Sequence, residues 1–135
     1  MHTVTTDAAP RPAGHYSQAI VHDGTVYVAG QLPITPDGRT LGDRSVEEQT
    51  EQALRNVQAV LRAAGSDLDR TLSVTVFVAD IDLWSRVNAV YARLLGEHRP
   101  ARAVVPTAAL HHGLLVEIQA VAAVAAPHRP GPDAP

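Results

Sequence analysis

The sequence predicts an α+β domain in which two helices cover one face of a mixed sheet. Two observations carry this prediction. Residues 45–65 and 82–96 place apolar side chains at helical spacing between capping signals, whereas residues 71–79 alternate with the period of two that a half-buried strand requires. Apolar runs bounded by turn residues lie before and after them, so the elements read strand, strand, helix, strand, helix, strand, strand.

Near the start, "TTDAAPRPA" at residues 5–13 has little to bury and reads as a loose lead-in. The stretch "YSQAIVHDGTVYVAGQ", residues 16–31, follows as two short strands around His22-Asp23-Gly24, because Asp-Gly between apolar runs favours the positive φ of a tight hairpin. Residues 32–44 are rich in Pro and Gly and form a loop. Ser45 and Glu48 then make a capping box, after which Val46, Ala53, Leu54, Val57, Val60, Leu61 and Ala64 recur on one helical face until Gly65. In the strand at 71–79, Leu72, Val74, Val76 and Val78 share one side, and Ser73, Thr75, Phe77 and Ala79 the other. Asp82 is placed to cap a second helix whose stripe is Leu83, Trp84, Val87, Val90, Tyr91 and Leu94, ending before Gly96. Strands at 101–109 and 114–125 complete the domain, which spans residues 1–126; the Pro-rich residues 127–135 are expected to form a flexible tail.

With 135 residues the chain has room for one core and one domain. A hydrophobic fraction of 45% and a net charge of -3 suit a soluble protein and argue against one that binds by neutralising phosphates. No run approaches the roughly 20 apolar residues of a membrane span, and the N-terminus lacks the pattern of a secretion signal, so the expected location is cytoplasmic, with neither membrane nor nucleic acid as partner. There is no cysteine, hence no disulfide, thiolate metal site or cysteine nucleophile. All 11 basic residues counted as Lys and Arg are arginine, which excludes any lysine Schiff base.

The last strand carries Glu117 on a half-apolar face with Leu115, Gln119 and Val121, and such a face argues for burial against another subunit. Arg102 stands alone in the preceding apolar run. By the residues alone, a structural ion pair between the two, across neighbouring strands or subunits, is the simpler reading.

Six segments in order give the chain a more specific likeness: "GHYSQA" at 14–19, "VAGQLP" at 28–33, "EEQTEQALRNVQAVLRAAGS" at 47–66, "VTVFVADIDLWSRVNAVYARLLG" at 74–96, "RPARA" at 99–103 and "VEIQAVA" at 116–122. Over residues 14–125 the sequence resembles the Rid family, also called YjgF/YER057c/UK114. The resemblance implies a chorismate-mutase-like (YjgF-like) fold, a homotrimer with active sites in clefts between subunits, and hydrolysis of reactive enamines and imines such as 2-aminoacrylate to 2-keto acids and ammonia. It implies no metal and no organic cofactor. Carried over by motif, the family arginine falls on Arg102, the glutamate on Glu117, the tyrosine on Tyr16 and the helix asparagine on Asn88.

Chemistry fits these assignments. A guanidinium offers paired donors to a carboxylate, so Arg102 suits the anchor of a 2-imino acid. A partly desolvated carboxyl group suits the delivery of water and the transfer of a proton, the role expected of Glu117. Tyr16 can touch the substrate or close the cleft, and the backbone around Gly30 and Ala103 can supply hydrogen bonds. Asn88 fits equally a core amide that fixes packing. His111 and His112 are adjacent, so in an extended segment they would point to opposite sides, out of reach of one metal ion. As loop residues at the mouth of a cleft they fit substrate selection or plain solvation.

Departures from the family pattern surround the expected cleft. Familiar members carry proline at the position of His15, small polar residues at Ala103 and Val104, and an R-L-P-K-like run where residues 109–112 read Ala-Leu-His-His; Gln119 replaces a common second glutamate. These changes keep a second function class open, a diverged relative serving a specialised pathway with another small metabolite. A ribonuclease reading, attached to an old family label, is opposed by the acidic balance and the absence of a basic stripe with interleaved aromatics.

Overall fold

A computed structural model describes residues 1–126, so the tail expected at 127–135 lies outside the described residues. The chain forms β1 (His2–Val4), β2 (Ala19–His22), β3 (Thr25–Gln31), α1 (Val46–Ala63), β4 (Thr71–Val78), α2 (Trp84–Leu95), β5 (Ala101–Pro106) and β6 (Val116–Ala123). One six-stranded sheet runs in the order β1-β2-β3-β6-β4-β5. Among the described residues only the β4/β5 pair is parallel, and α2 supplies the crossover that a parallel pair needs. The mixed sheet with two helices is therefore as the periodicities predict.

The core lies between the helices and one sheet face. Val26 and Val28, Val74, Val76 and Val78, and Ile118 and Ala120 meet Leu54, Val57 and Leu61 of α1 and Val87 and Tyr91 of α2. Ser45 caps α1, its hydroxyl accepting from Glu48 N–H at 3.2 Å. The stripe of α1 is less apolar than its hydrophobic residues alone suggest, because Gln49, Thr50 and Asn56 are also buried. Asn56 Nδ2 donates to the carbonyls of Leu32 (3.1 Å) and Ile34 (2.8 Å), and Gln49 Nε2 donates to Arg44 O (3.0 Å) while its Oε1 accepts from Leu115 N–H (2.9 Å). These amides satisfy loop backbone that has no strand partner. They fix residues 32–44 onto α1.

The structure corrects the sequence reading in several places. The lead-in is anchored: His2–Val4 pairs with β2, and the buried Gln18 side chain accepts from Thr6 N–H (2.7 Å) and donates to the carbonyls of Thr6 (3.0 Å) and Pro10 (2.9 Å). Tyr16 precedes β2 in a bend, with Asp23 (φ 49°) and Gly24 (φ 74°) forming the hairpin turn beyond it. The β4/β6 register shifts between Thr71 and Ser73, so Thr71 turns inward and Leu72 is 52% exposed instead of joining Val74. Asp80, not Asp82, provides the cap, accepting from Asp82 N–H at 2.9 Å ahead of a 3-10 turn that leads into α2. β5 ends at Pro106, and β6 begins at Val116.

Among the described residues, the opposite sheet face carries no helix. Tyr27 and Val121 lie side by side on it, with Phe77 beside Glu117 and Thr75 between Ala103 and Gln119. Tyr27 is 51% exposed there.

Candidate functional site

Strand register decides where the candidate residues stand. Along β4 the buried Val74 faces the helices and Phe77 faces away. Arg102 pairs with Val74 and Glu117 with Phe77, so the two charged residues leave the sheet from opposite faces. Within one chain they form no ion pair, which corrects the expectation of a pair across neighbouring strands and leaves only a pair across subunits.

Arg102 projects from the edge strand β5 onto α2. Its Nη1 donates to Asn88 Oδ1 at 2.8 Å, and its guanidinium carbon lies 4.7 Å from the centroid of Tyr91 and 5.8 Å from that of Trp84. Stacking on an aromatic face leaves the edge donors of a guanidinium free for an anion. The spacing of the platform is helical: Trp84, Asn88 and Tyr91 are four and three residues apart on one face of α2. Asn88 thus orients Arg102, while Trp84, 41% exposed, belongs to this platform rather than to the core stripe. The Tyr91 hydroxyl is buried and finds no hydrogen-bond partner among the described residues; burial pushes its phenol up, and the Arg102 charge pulls the other way. A cleft of about 490 Å³ opens here, with Asn88, Tyr91, His98, Arg99 and Arg102 in its wall.

Glu117 lies across the sheet beside Gly30. A Cβ added at Gly30 would stand 2.3 Å from Glu117 Oε1, 3.1 Å from its Cδ and 3.3 Å from its Cγ. The glycine therefore serves space, not backbone freedom: its φ is not in the left-handed region, and the carboxylate occupies the volume of the missing side chain. Gly30 borders a second cleft of about 410 Å³ that Tyr16, Gln18, His111 and His112 also line. Tyr16 is held in its bend by Ala13 N–H, which donates to the phenol oxygen at 3.3 Å, and its ring is 53% exposed. Ala103 is exposed beside Thr75 on the helix-free face, one residue from Arg102 but turned away from it.

The candidate residues thus fall into two groups. Tyr16, Gly30 and Glu117 share one region and Asn88 and Arg102 another, and no hydrogen bond or ion pair among the described residues joins the two groups. The histidines also differ from expectation: residues 111–113 form a 3-10 turn in which His112 has φ 61°, so the two rings stack instead of diverging. Among the described residues, no group of three or more His, Asp or Glu side chains is placed to hold a metal ion, and no helix is long and apolar enough to cross a membrane. The aromatic platform and the Gln18 latch were missed in sequence. Helical spacing of Trp84, Asn88 and Tyr91 could have shown the first; a lone glutamine gives no signal for the second.

A family model described as Endoribonuclease L-PSP matches residues 6–124. The 2-iminobutanoate/2-iminopropanoate deaminase of Homo sapiens is 40% identical over 119 residues, covering 88% of this chain and 87% of that protein. Among solved structures, RidA from an Antarctic Psychrobacter superposes with a TM-score of 0.87 at 36% identity, covering 92% of this chain and 100% of that one. TdcF of E. coli, solved with bound serine, gives a TM-score of 0.87 at 30% identity over 93% of this chain and 100% of its own.

Proposed function

Since the chain belongs to the Endoribonuclease L-PSP family, also called the Rid family, we propose that it deaminates reactive enamines and imines of the 2-aminoacrylate and 2-iminopropanoate type, releasing 2-keto acids and ammonia. The observation that carries this reading is that, within one chain, Arg102 and Glu117 do not neutralise each other. Each remains available for a substrate, from opposite faces of one sheet.

A site using both must then be shared between copies. The helix-free face with Tyr27, Phe77 and Val121 is the surface on which copies would associate, and a homotrimer is the assembly we infer. Arg102 of one copy, aligned by Asn88, binds the substrate carboxylate through two parallel hydrogen bonds. Glu117 of the neighbour, at the Gly30 cleft, takes a proton from water as the water oxygen bonds to the imine carbon. The proton passes to nitrogen to give a carbinolamine; Glu117 then takes the hydroxyl proton and returns it to that nitrogen as the carbonyl forms, the carbon–nitrogen bond breaks and ammonia leaves. An enamine enters after its terminal carbon is protonated to give the imine. Tyr16 closes the cleft, and backbone groups at Gly30 and Ala103 supply further hydrogen bonds. These steps call for no metal or organic cofactor.

A second reading has its own support. Ala103, Val104, His111 and His112 make the surroundings of the site unlike those of familiar members, as a relative diverged toward another small metabolite would require. RNA cleavage is disfavoured by the net charge of -3 and the absence of lysine.

Keto-acid release from a panel of imino acids, generated in situ by an amino-acid oxidase and corrected for spontaneous hydrolysis, tests the proposal. The wild type is expected to accelerate release, and Glu117→Gln to lower kcat about 100- to 10,000-fold, the scale of a lost general base. No acceleration by folded wild-type protein would discard the deaminase in favour of the specialised relative.

A further inference from the structure

In a single chain, before a neighbouring copy closes on it, the cleft beside Gly30 is larger than the smallest imino acid needs. Its volume of about 410 Å³ lies within the range of pockets that enclose drug-sized ligands, about 300–1,000 Å³, whereas 2-iminopropanoate brings only a methyl side chain. What fills the rest depends on the wall.

That wall includes a built aromatic surface. His111 and His112 lie with ring centroids 3.9 Å apart and an interplanar angle of 13°. The stack depends on His112 adopting φ 61°, a left-handed conformation in which a residue with a side chain loses free energy that glycine would not. The turn is held from both sides: Gly113 N–H donates to Leu110 O (3.1 Å), Leu114 N–H donates to His111 O (3.3 Å), and Leu114 is buried. Two parallel, exposed rings are therefore presented by a backbone turn that is itself held, with the Tyr16 ring in the same cleft. A flat π surface of this kind favours a further planar ring in offset contact. Charge gives no comparable preference, since the cleft carries both Arg11 and Asp37.

We propose that the stacked His111/His112 pair selects the substrate side chain, favouring 2-imino acids with a planar, conjugated side chain over those with a methyl group. The proposal deepens the deaminase reading and rests on it for the reacting end of the substrate. Gly30, against which Glu117 packs, borders this cleft and the histidine pair lines it as well, so the reacting end is assigned to the first and the side-chain end to the second.

Phenylpyruvate and pyruvate, the keto acids with a benzyl and a methyl side chain, serve as binding probes in isothermal titration of wild type, His111→Ala and His112→Gly. The glycine variant suits the left-handed backbone, and thermal unfolding verifies that both variants fold. Phenylpyruvate is expected to bind wild type about tenfold more tightly than pyruvate, the scale of one aromatic contact, and each variant should narrow that gap to about threefold or less. Equal affinities in wild type, an unchanged gap in both variants, or tighter binding of 2-oxoglutarate than of phenylpyruvate would each overturn the selector. Hydrolysis of the two matching imino acids separates this proposal from the one beneath it. Selective binding without accelerated hydrolysis supports the selector and counts against the deaminase; acceleration that ignores the side chain does the reverse.

Discussion

Arg102→Ala is expected to lower kcat/KM for 2-imino acid hydrolysis about 100- to 1,000-fold, most of it through KM, because a carboxylate anchor binds ground state and transition state alike. Arg102 is exposed on an edge strand, so its loss should change the unfolding free energy by no more than about 0.5 kcal/mol. Lysine should restore little, since a point charge supplies neither the paired donors nor the flat stack on Tyr91 and Trp84. Steady-state kinetics with urea unfolding as a control checks both halves of the expectation. A variant with unchanged KM would show that Arg102 does not hold the substrate.

Gly30→Ala is the second large effect. The added methyl carbon would fall 2.3 Å from Glu117 Oε1, too close for any real contact, so the carboxylate must swing out of its place. A flexible glutamate can do this at little cost to stability, but a displacement of the order of 1 Å in a catalytic group costs about 100-fold in rate. The expected result is a folded protein with kcat reduced about 100-fold. Gly42→Ala provides the control, because its added carbon would come no nearer than 3.7 Å to Leu114. Equal activity of the two variants would mean that the position of Glu117 against Gly30 does not matter to the reaction.

Much of the fold was legible in the sequence because local and long-range preferences agree. Ser45 and Glu48 mark the start of α1, Asp23-Gly24 marks the hairpin, and Val74, Val76 and Val78 alternate as a buried strand face must. The failures have physical causes. An extra residue in a strand reverses every side chain beyond it, so the register shift after Thr71 sent Leu72 to solvent in a way that alternation could not reveal. His2–Val4 is too short to carry a pattern, and its place is set by pairing with β2. Two aspartates stood two residues apart before α2, and composition alone did not favour Asp80 over Asp82.

The site was legible in a different sense. Arg102, Glu117, Tyr16 and Asn88 were singled out by family motifs, not by any periodicity, and their separation across the sheet follows from strand order. That order pairs β5 with β4 and β4 with β6, a choice the sequence does not state. Only with the register in hand do Arg102 and Val74 share one face and Glu117 and Phe77 the other. The stacked histidines belong to the same class, since nothing in the sequence specifies the positive φ at His112.

The central claim, that one active site takes Arg102 and Glu117 from different copies, is tested most directly by mixing two inactive variants. Arg102→Ala and Glu117→Ala chains are unfolded together, refolded at equal concentration and assayed for imino acid hydrolysis. Random assembly of a closed trimer leaves about a quarter of the shared sites with both residues intact, so about a quarter of wild-type activity should return. Activity no greater than that of the separately refolded variants would contradict the claim and place both residues in sites that each chain builds alone.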